Sequence, residues 1–284
     1  MEQLTHPDLS PSSQPGPGSG AAGPHRSRLP AAADQKPARA SLVALWARHL
    51  DEVREAQRLH HQVFAGEMGA CLQTPANAGL PGHVVDRFDD YCEHLLVRDV
   101  ASGQVVGTCR VLTPVQALRC GGAYTEAAFD LSALHNLRAA MVELDRGCVH
   151  ADYRHGGVLM TLGAALFAFM VQNRFESMIG CASVPMLHRG MVSGDAAASI
   201  WNQLRQTHLA PAALQVRPLH PLPLDGLDAA LLVEPPAMLK GCLRLGAKVL
   251  GPPAWDPMFN TADLPIMARI ADLPPRYRKH FLGA

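Results

Sequence analysis

Between Val158 and Val171 the chain reads VLMTLGAALFAFMV, with Thr161 as its one polar side chain. A helix apolar all the way round must be buried, yet this run is shorter than the roughly 20 residues that cross a bilayer. It is therefore expected as a core helix over 157–173. Gly156 and Gly157 stand directly before it, and before them MVELDRGCV (141–149) reads as a strand through Val142, Leu144 and Val149. After it, SMIGCASV (177–184) reads as the next strand and AAASIWNQLRQTH (196–208) as the next helix. Strand, glycine turn, buried helix, strand is a βαβ unit, whose crossover makes the two strands parallel neighbours in one sheet.

The flanking segments extend that sheet. EHLLVRDVASGQVVGTCRVLTP (93–114) reads as a β-hairpin, two apolar runs joined at Ser102-Gly103. Upstream, Val53, Ala56, Leu59, Val63 and Phe64 recur at helical spacing, with Asp51 as N-cap and Gly69 as stop. TPANAGLPGH (74–83) is turn-rich, and 113–140 is irregular with a helix near its end. PPAMLKGCLRLGAKVLG (235–251) places two prolines where a first helical turn tolerates them, with Gly246 or Gly251 to end the helix. DLPIMARI (263–270) is a last strand, and PPRYRKHF (274–281) a basic close. Residues 1–40 are rich in Pro, Gly, Ser and Ala and have almost no large apolar side chain to offset chain entropy. A disordered tail is expected there, ahead of one α/β domain over 41–284 with a mixed central sheet flanked by helices.

Composition excludes several classes. Lys+Arg and Asp+Glu balance at 25 each, which is not the profile of a dedicated nucleic-acid binder. Cysteines 71, 92, 109, 120, 148, 181 and 242 are odd in number and form no CxxC, against a disulfide framework and a structural zinc site. They are expected to be buried small hydrophobes in a reducing compartment. Residues 1–40 lack the apolar segment of a signal peptide, so a cytoplasmic location is expected, with peripheral membrane contact left open.

The junction between strand and helix is where chemistry concentrates. Arg154, Gly156 and Gly157 combine a fixed positive charge, glycines that let backbone approach a ligand, and the unsatisfied N–H groups of a helix N-terminus. That is an anion site; a glycine turn beside a solvated arginine accounts for the same residues equally well.

Arg154-x-x-Gly157 also resembles the first part of the R/Q-x-x-G-x-G/A signature of the GNAT acyltransferase superfamily, with Leu159 where the pattern has Gly or Ala. HQVFAGEMGA, DRFDDYCEHLLV, VVGTCRVL, ELDRGCVHADYRHGG, LKGCLRLGAKVLGPPAWDP and FNTADL then follow in the order found in GNAT-type N-acyltransferases of ornithine-lipid synthesis. The resemblance covers roughly residues 50–283, and its first half extends to the acyl-homoserine-lactone synthases. It departs at His60, where an Arg is usual, at Cys109 and Cys242, where tyrosines are, and at Met258, where an Asp is common.

The resemblance implies a GNAT fold with a C-terminal elaboration. It implies transfer of a 3-hydroxyacyl chain from acyl carrier protein to the α-amine of L-ornithine, with no metal or redox cofactor beyond the phosphopantetheine that the carrier brings. Other readings are an acyl-homoserine-lactone synthase, a different amino-acid acceptor, or a non-catalytic scaffold for carrier or lipid. Glu143 is the candidate general base, directly or through water, its flanking Val142 and Leu144 favouring a raised pKa; the alternative is a structural acid paired with Arg146. Amides of Val149, His150 and Ala151 would meet the thioester carbonyl, and Arg154, Gly156 and Gly157 would cradle the pantetheine phosphate. Arg110 is the candidate for the amino-acid carboxylate. Asp86 and Asp89 would hold the side-chain ammonium, or organise the N-terminal segment, or lie in a solvated loop. Lys240, Arg244 and Lys248, or Arg276, Arg278 and Lys279, form candidate docking faces for an acidic carrier or for the inner membrane. The apolar side chains of 157–173 are assigned to the core rather than to an acyl tunnel.

Overall fold

A computed structural model describes residues 41–70, 80–188 and 190–283. The expected tail, Cys71 and most of the 74–83 turn lie outside the described residues.

Eight strands make the main sheet: β1 (Leu42–Trp46), β2 (Glu93–Asp99), β3 (Val105–Leu112), β4 (Met141–Val149), β5 (Ser177–Pro185), β6 (Lys248–Val249), β7 (Ala254–Asp256) and β8 (Thr261–Arg269). Their order is β1-β2-β3-β4-β5-β8-β6, with β7 also on β8. Every pairing is antiparallel except β4 with β5, the parallel pair that the βαβ pattern required. The helices are α1 (Leu50–His61), α2 (Pro114–Cys120), α3 (Gly157–Gln172), α4 (Asp195–Thr207), α5 (Ala237–Arg244) and α6 (Pro275–Leu282). The C-terminal strand β8 is thus interior to the sheet, next to its edge, and its residues 261–269 pair with 185–177 of β5 along their full length.

The two faces of the sheet have separate covers. On one, α3 sets Val158, Leu162, Phe167 and Met170 against Leu95, Val97, Val106 and Val111. Phe169 meets Trp46 at 4.8 Å, and Phe167 stacks on Phe281 of α6 at 5.5 Å. Each such fully buried side chain contributes about 2 kcal/mol of transfer free energy. On the other face α1 and the turn that follows it pack Ala56, Leu59, Val63 and Phe64 against Leu96, Val105 and Cys148, alternate strand residues pointing to opposite sides.

Several boundaries differ from expectation. The residue before α1 is His49, whose N–H is accepted by Glu52 Oε2 at 3.2 Å; Asp51 is inside the first turn, where a carboxylate still suits the helix dipole. Beyond His61 the chain widens into a π-helical turn, Gln62–Glu67, before Gly69 turns left-handed at φ 73°. In 113–140 the α-helix is at the start, capped by Thr113 and Gln116, and the end is a 3-10 segment, Ser132–Ala140. The basic close 274–281 is helical, and Gly246 follows α5 at φ 90°. Of the six cysteines described, Cys109 and Cys148 are fully buried, Cys92, Cys120, Cys181 and Cys242 half-buried, and all are free thiols.

One irregularity shapes everything that follows. Opposite β3, Asp145 pairs with Arg110 and Cys148 with Thr108, so Arg146 and Gly147 face Cys109 alone. This is a β-bulge, and Arg146 occupies it at φ 55°, a left-handed conformation that a non-glycine residue rarely adopts. A bulge bends its strand, and β4 parts from β5 there: the parallel pairing ends at Leu144–Gly180.

Candidate active site

Beyond Leu144 and Gly180 the diverging strands open a gap through the sheet. On the α1 side lies a cavity of about 370 Å³, bounded by Phe64, Tyr124, Asp145, Arg146, Phe259 and Asp263 among others. On the α3 side lies one of about 470 Å³, bounded largely by apolar groups including Leu162, Leu166, Phe167, Met178 and Tyr277. The two share Arg146, Gly147, Arg154, Leu159, Cys181 and Met238, so they adjoin at the gap. The assignment of the α3 side chains to core alone is corrected by this arrangement. The helix has buried residues on more than one side, and one side of it walls a cavity. Cys109, Cys242 and Leu159, three of the departures from the family pattern, line that apolar cavity; His60 is buried away from both cavities and Met258 is exposed.

Arg154 stands at the junction of the cavities. Its Nε donates to Val149 O at 3.0 Å and its Nη2 pairs with Glu67 at 2.6 Å, while the side chain stays 38% exposed. Gly156 precedes α3 at φ 99° and lines the larger cavity, beside Lys240 and Arg244 of α5. Gly157 serves packing: a Cβ there would come within 3.3 Å of Leu42 Cδ1. The helix N-terminus, Gly156 and Arg154 therefore come together as the sequence indicated.

The three amides proposed for the carbonyl do not act as a set. The His150 N–H donates to Val106 O at 2.9 Å, and Ala151 is exposed in a 3-10 turn outside both cavities. Val149 is the one that lines a cavity. It is opposite Gly107, between the hydrogen-bonded positions of the ladder, so its N–H points from β3 toward the gap.

The assignment of Arg110 to a substrate carboxylate is overturned. Arg110 is 1% exposed, and its Nη atoms are held by Asp86 (2.7 and 3.0 Å), Asp89 (2.9 Å) and Asp145. Asp86 also accepts from Arg146 Nη2 at 2.8 Å. Asp86 and Asp89 are accordingly neither a solvated loop nor open to an ammonium; they tie the 84–92 segment to the sheet, the second of the readings the sequence left open. The guanidinium groups of Arg110 and Arg146 hold the Asp86 carboxyl well below the usual carboxylate range, against the opposing effect of its burial. Burying a fixed positive charge on an apolar strand demanded such partners.

Arg146, unlike Arg110, lines the smaller cavity, as Arg154 also does. It lies under the ring of Phe259 at 4.2 Å and near Tyr124 at 5.3 Å, and its buried Nε has no hydrogen-bond partner among the described residues. The sequence carried a hint in Asp145-Arg146-Gly147, a polar triplet in an apolar strand, but a bulge is not readable from one strand.

Glu143 is buried, and burial pushes its carboxyl up to about 7, with Asp145 adding to the rise. The raised value fits the sequence reading; the surroundings do not fit direct contact with substrate. Both oxygens are enclosed by the N–H groups of Tyr124 and Thr125, each at 2.6 Å, and by the Thr125 hydroxyl. Glu143 lines neither cavity and does not pair with Arg146. It anchors the Tyr124–Thr125 segment, whose tyrosine forms part of the cavity wall. Asp263, which motif reading did not single out, does line the smaller cavity. Among the described residues no group of His, Cys, Asp and Glu is arranged to hold a metal ion.

An acetyltransferase (GNAT) domain model matches residues 59–164. The chain is 32% identical over 253 residues to an L-ornithine N(alpha)-acyltransferase of Agrobacterium fabrum (strain C58), with 84% of each chain covered. It is also 32% identical over 246 residues to one of Brucella abortus (strain 2308), covering 81% of this chain and 84% of that one. Among solved structures, the AHL synthase LasI aligns over 86% of this chain and 96% of its own, at a TM-score of 0.49 and 13% identity.

Proposed function

The chain belongs to the family of L-ornithine N(alpha)-acyltransferases, and from that membership we propose that it moves a 3-hydroxyacyl chain from acyl carrier protein to the α-amine of L-ornithine, giving lyso-ornithine lipid. The observation that carries this reading is the gap between β4 and β5, with an apolar cavity on one side and a charged one on the other. A thioester carbonyl seated in the gap would send its acyl chain toward α3 and present its carbon to an amine from the α1 side. The Val149 N–H would face the carbonyl oxygen as it gains negative charge. Arg154, Gly156 and the α3 N-terminus would receive the phosphate of phosphopantetheine, and Lys240 and Arg244 at the same mouth suit an acidic carrier. Arg146, which lines the cavity where Arg110 does not, replaces Arg110 as the group to meet the amino-acid carboxylate.

The amine nitrogen attacks the thioester carbon, the C–S bond breaks, and one amine proton goes to the departing thiolate. A second proton must leave the α-ammonium before attack. This aminolysis balances without metal or redox cofactor. The cytoplasm is the proposed location, with peripheral contact at the inner membrane; no described helix is long and apolar enough to cross a membrane.

The test is to incubate the purified protein with 3-hydroxyacyl carrier protein and a panel of amino acids, and to identify products by mass spectrometry. Acyl-ornithine is expected; no acyl-amino acid from any acceptor sinks the proposal. Arg154→Ala should raise the KM for acyl carrier protein about 10-fold or more through loss of a charge-assisted contact, and an unchanged KM removes Arg154 from the donor site.

A further inference from the structure

Asp263 is a carboxylate the fold has buried without a partner of opposite charge. It sits in β8 opposite Ser183 of β5 and Ala254 of β7, is 4% exposed, and lines the smaller cavity. The Thr261 hydroxyl donates to its Oδ1 at 3.0 Å, and the Ser183 hydroxyl also bonds to it. Among the described residues no lysine, arginine or histidine lies within ion-pair distance. The titratable groups around it are Asp256 on β7, Asp145 and Arg146 on β4, Cys181 on β5 and Tyr124. An uncompensated buried carboxylate is costly, and a cationic group entering this cavity would supply what the protein does not.

We infer that Asp263 takes the proton from the attacking α-ammonium of the amino acid, the role sequence reading gave to Glu143. The inference rests on the acyl-transfer reading above. Asp263 and Arg146 line the same cavity, and Asp263 pairs in the sheet with the stretch of β5 that forms one edge of the gap. An amino acid whose carboxylate lies on Arg146 has its α-nitrogen two bonds from the carboxyl carbon, whereas the side-chain ammonium of ornithine lies three methylenes away. The proton passes from nitrogen to an Asp263 oxygen, leaving a neutral amine whose lone pair attacks the thioester carbon. The protonated Asp263 returns its proton to water after the amide and thiol leave. Burial pushes the Asp263 carboxyl up to about 6, against the two hydroxyl hydrogen bonds and with Asp256 and Asp145 adding. That brings a carboxylate closer to an α-amino group, ordinarily near about 8, and makes it a better base.

The test compares wild type, Asp263→Asn and Thr261→Val with L-ornithine and with norvaline, which lacks the side-chain ammonium. Asp263→Asn is expected to lower kcat about 100-fold or more with both acceptors. Thr261→Val, by removing a hydrogen bond that favours the ionised carboxylate, is expected to move the acid limb of kcat/KM to higher pH. A kcat within about threefold of wild type for a folded Asp263→Asn overturns the inference. So does a loss confined to ornithine, which assigns Asp263 to the side-chain ammonium instead. If Asp263→Asn does not fold, an unmoved acid limb in Thr261→Val overturns it. Wild type that acylates neither acceptor counts against the proposed function, not against this residue.

Discussion

Replacing Glu143 with glutamine should reverse the order of stability between wild type and variant as pH rises. In the folded protein burial lifts this carboxyl from 4.5 to about 7, overcoming the three donors from Tyr124 and Thr125. At about 1.4 kcal/mol per pH unit, that interval corresponds to about 3 kcal/mol. Below pH 4.5 the group is protonated in both folded and unfolded chains and imposes no penalty. Between 4.5 and about 7 the folded chain holds a proton that the unfolded chain has lost, so stability falls as pH rises; above that window the whole penalty is present. Glutamine never ionises. Its amide nitrogen cannot accept the hydrogen bonds taken by the oxygen it replaces, a fixed cost of about 1–3 kcal/mol. Wild type should be the more stable by that amount at pH 4.5, and Glu143→Gln should gain on it by about 3 kcal/mol by pH 7.5. Urea unfolding of both proteins across this range measures the difference, and titrations common to both cancel. A difference constant to within about 0.5 kcal/mol would refute the buried, cation-free placement of this carboxylate.

Other substitutions separate scaffold from site. Arg110→Met leaves Asp86, Asp89 and Asp145 without their shared cation and should destabilise the fold by about 3–5 kcal/mol in chemical denaturation; a stable variant whose only defect is a raised KM for the amino acid would restore Arg110 to the substrate site. Gly180→Ala puts a methyl group into Leu144 O at the last parallel pair, and its melting temperature should fall by an amount equivalent to about 1–3 kcal/mol. Leu162→Phe adds bulk at the apolar cavity and should shorten the acyl chains accepted, read from rates on donors of graded length; an unchanged preference would place the chain elsewhere.

The βαβ unit was legible because its signals are local. An apolar run too long to be a strand and too short to span a bilayer, preceded by glycines and a strand, leaves few arrangements, and β4, α3 and β5 fall where the pattern placed them. Arg154 and Gly156 were legible for the same reason, since the helix N-terminus that gives them meaning lies next to them in the chain. Cap and turn details such as His49 against Asp51 depend on a few competing hydrogen bonds, and one of these went to Glu52.

What the order of residues determined, then, was the core helix, the strands beside it and the glycine turn at Arg154, because each follows from periodicity or from neighbours within a few residues. Which charged groups line a cavity and which are enclosed was decided only by the tertiary structure. Arg110 and Arg146 lie on adjacent strands and nothing in their sequence neighbourhoods tells them apart, yet the Nη atoms of one are held by three aspartates while the other sits in a bulge that lines a cavity. Glu143 and Asp263 differ likewise: the first is enclosed by the Tyr124–Thr125 segment, the second left lining the smaller cavity. A charge takes its role from the partners that burial assigns to it, and those partners come from strands and loops far apart in the chain.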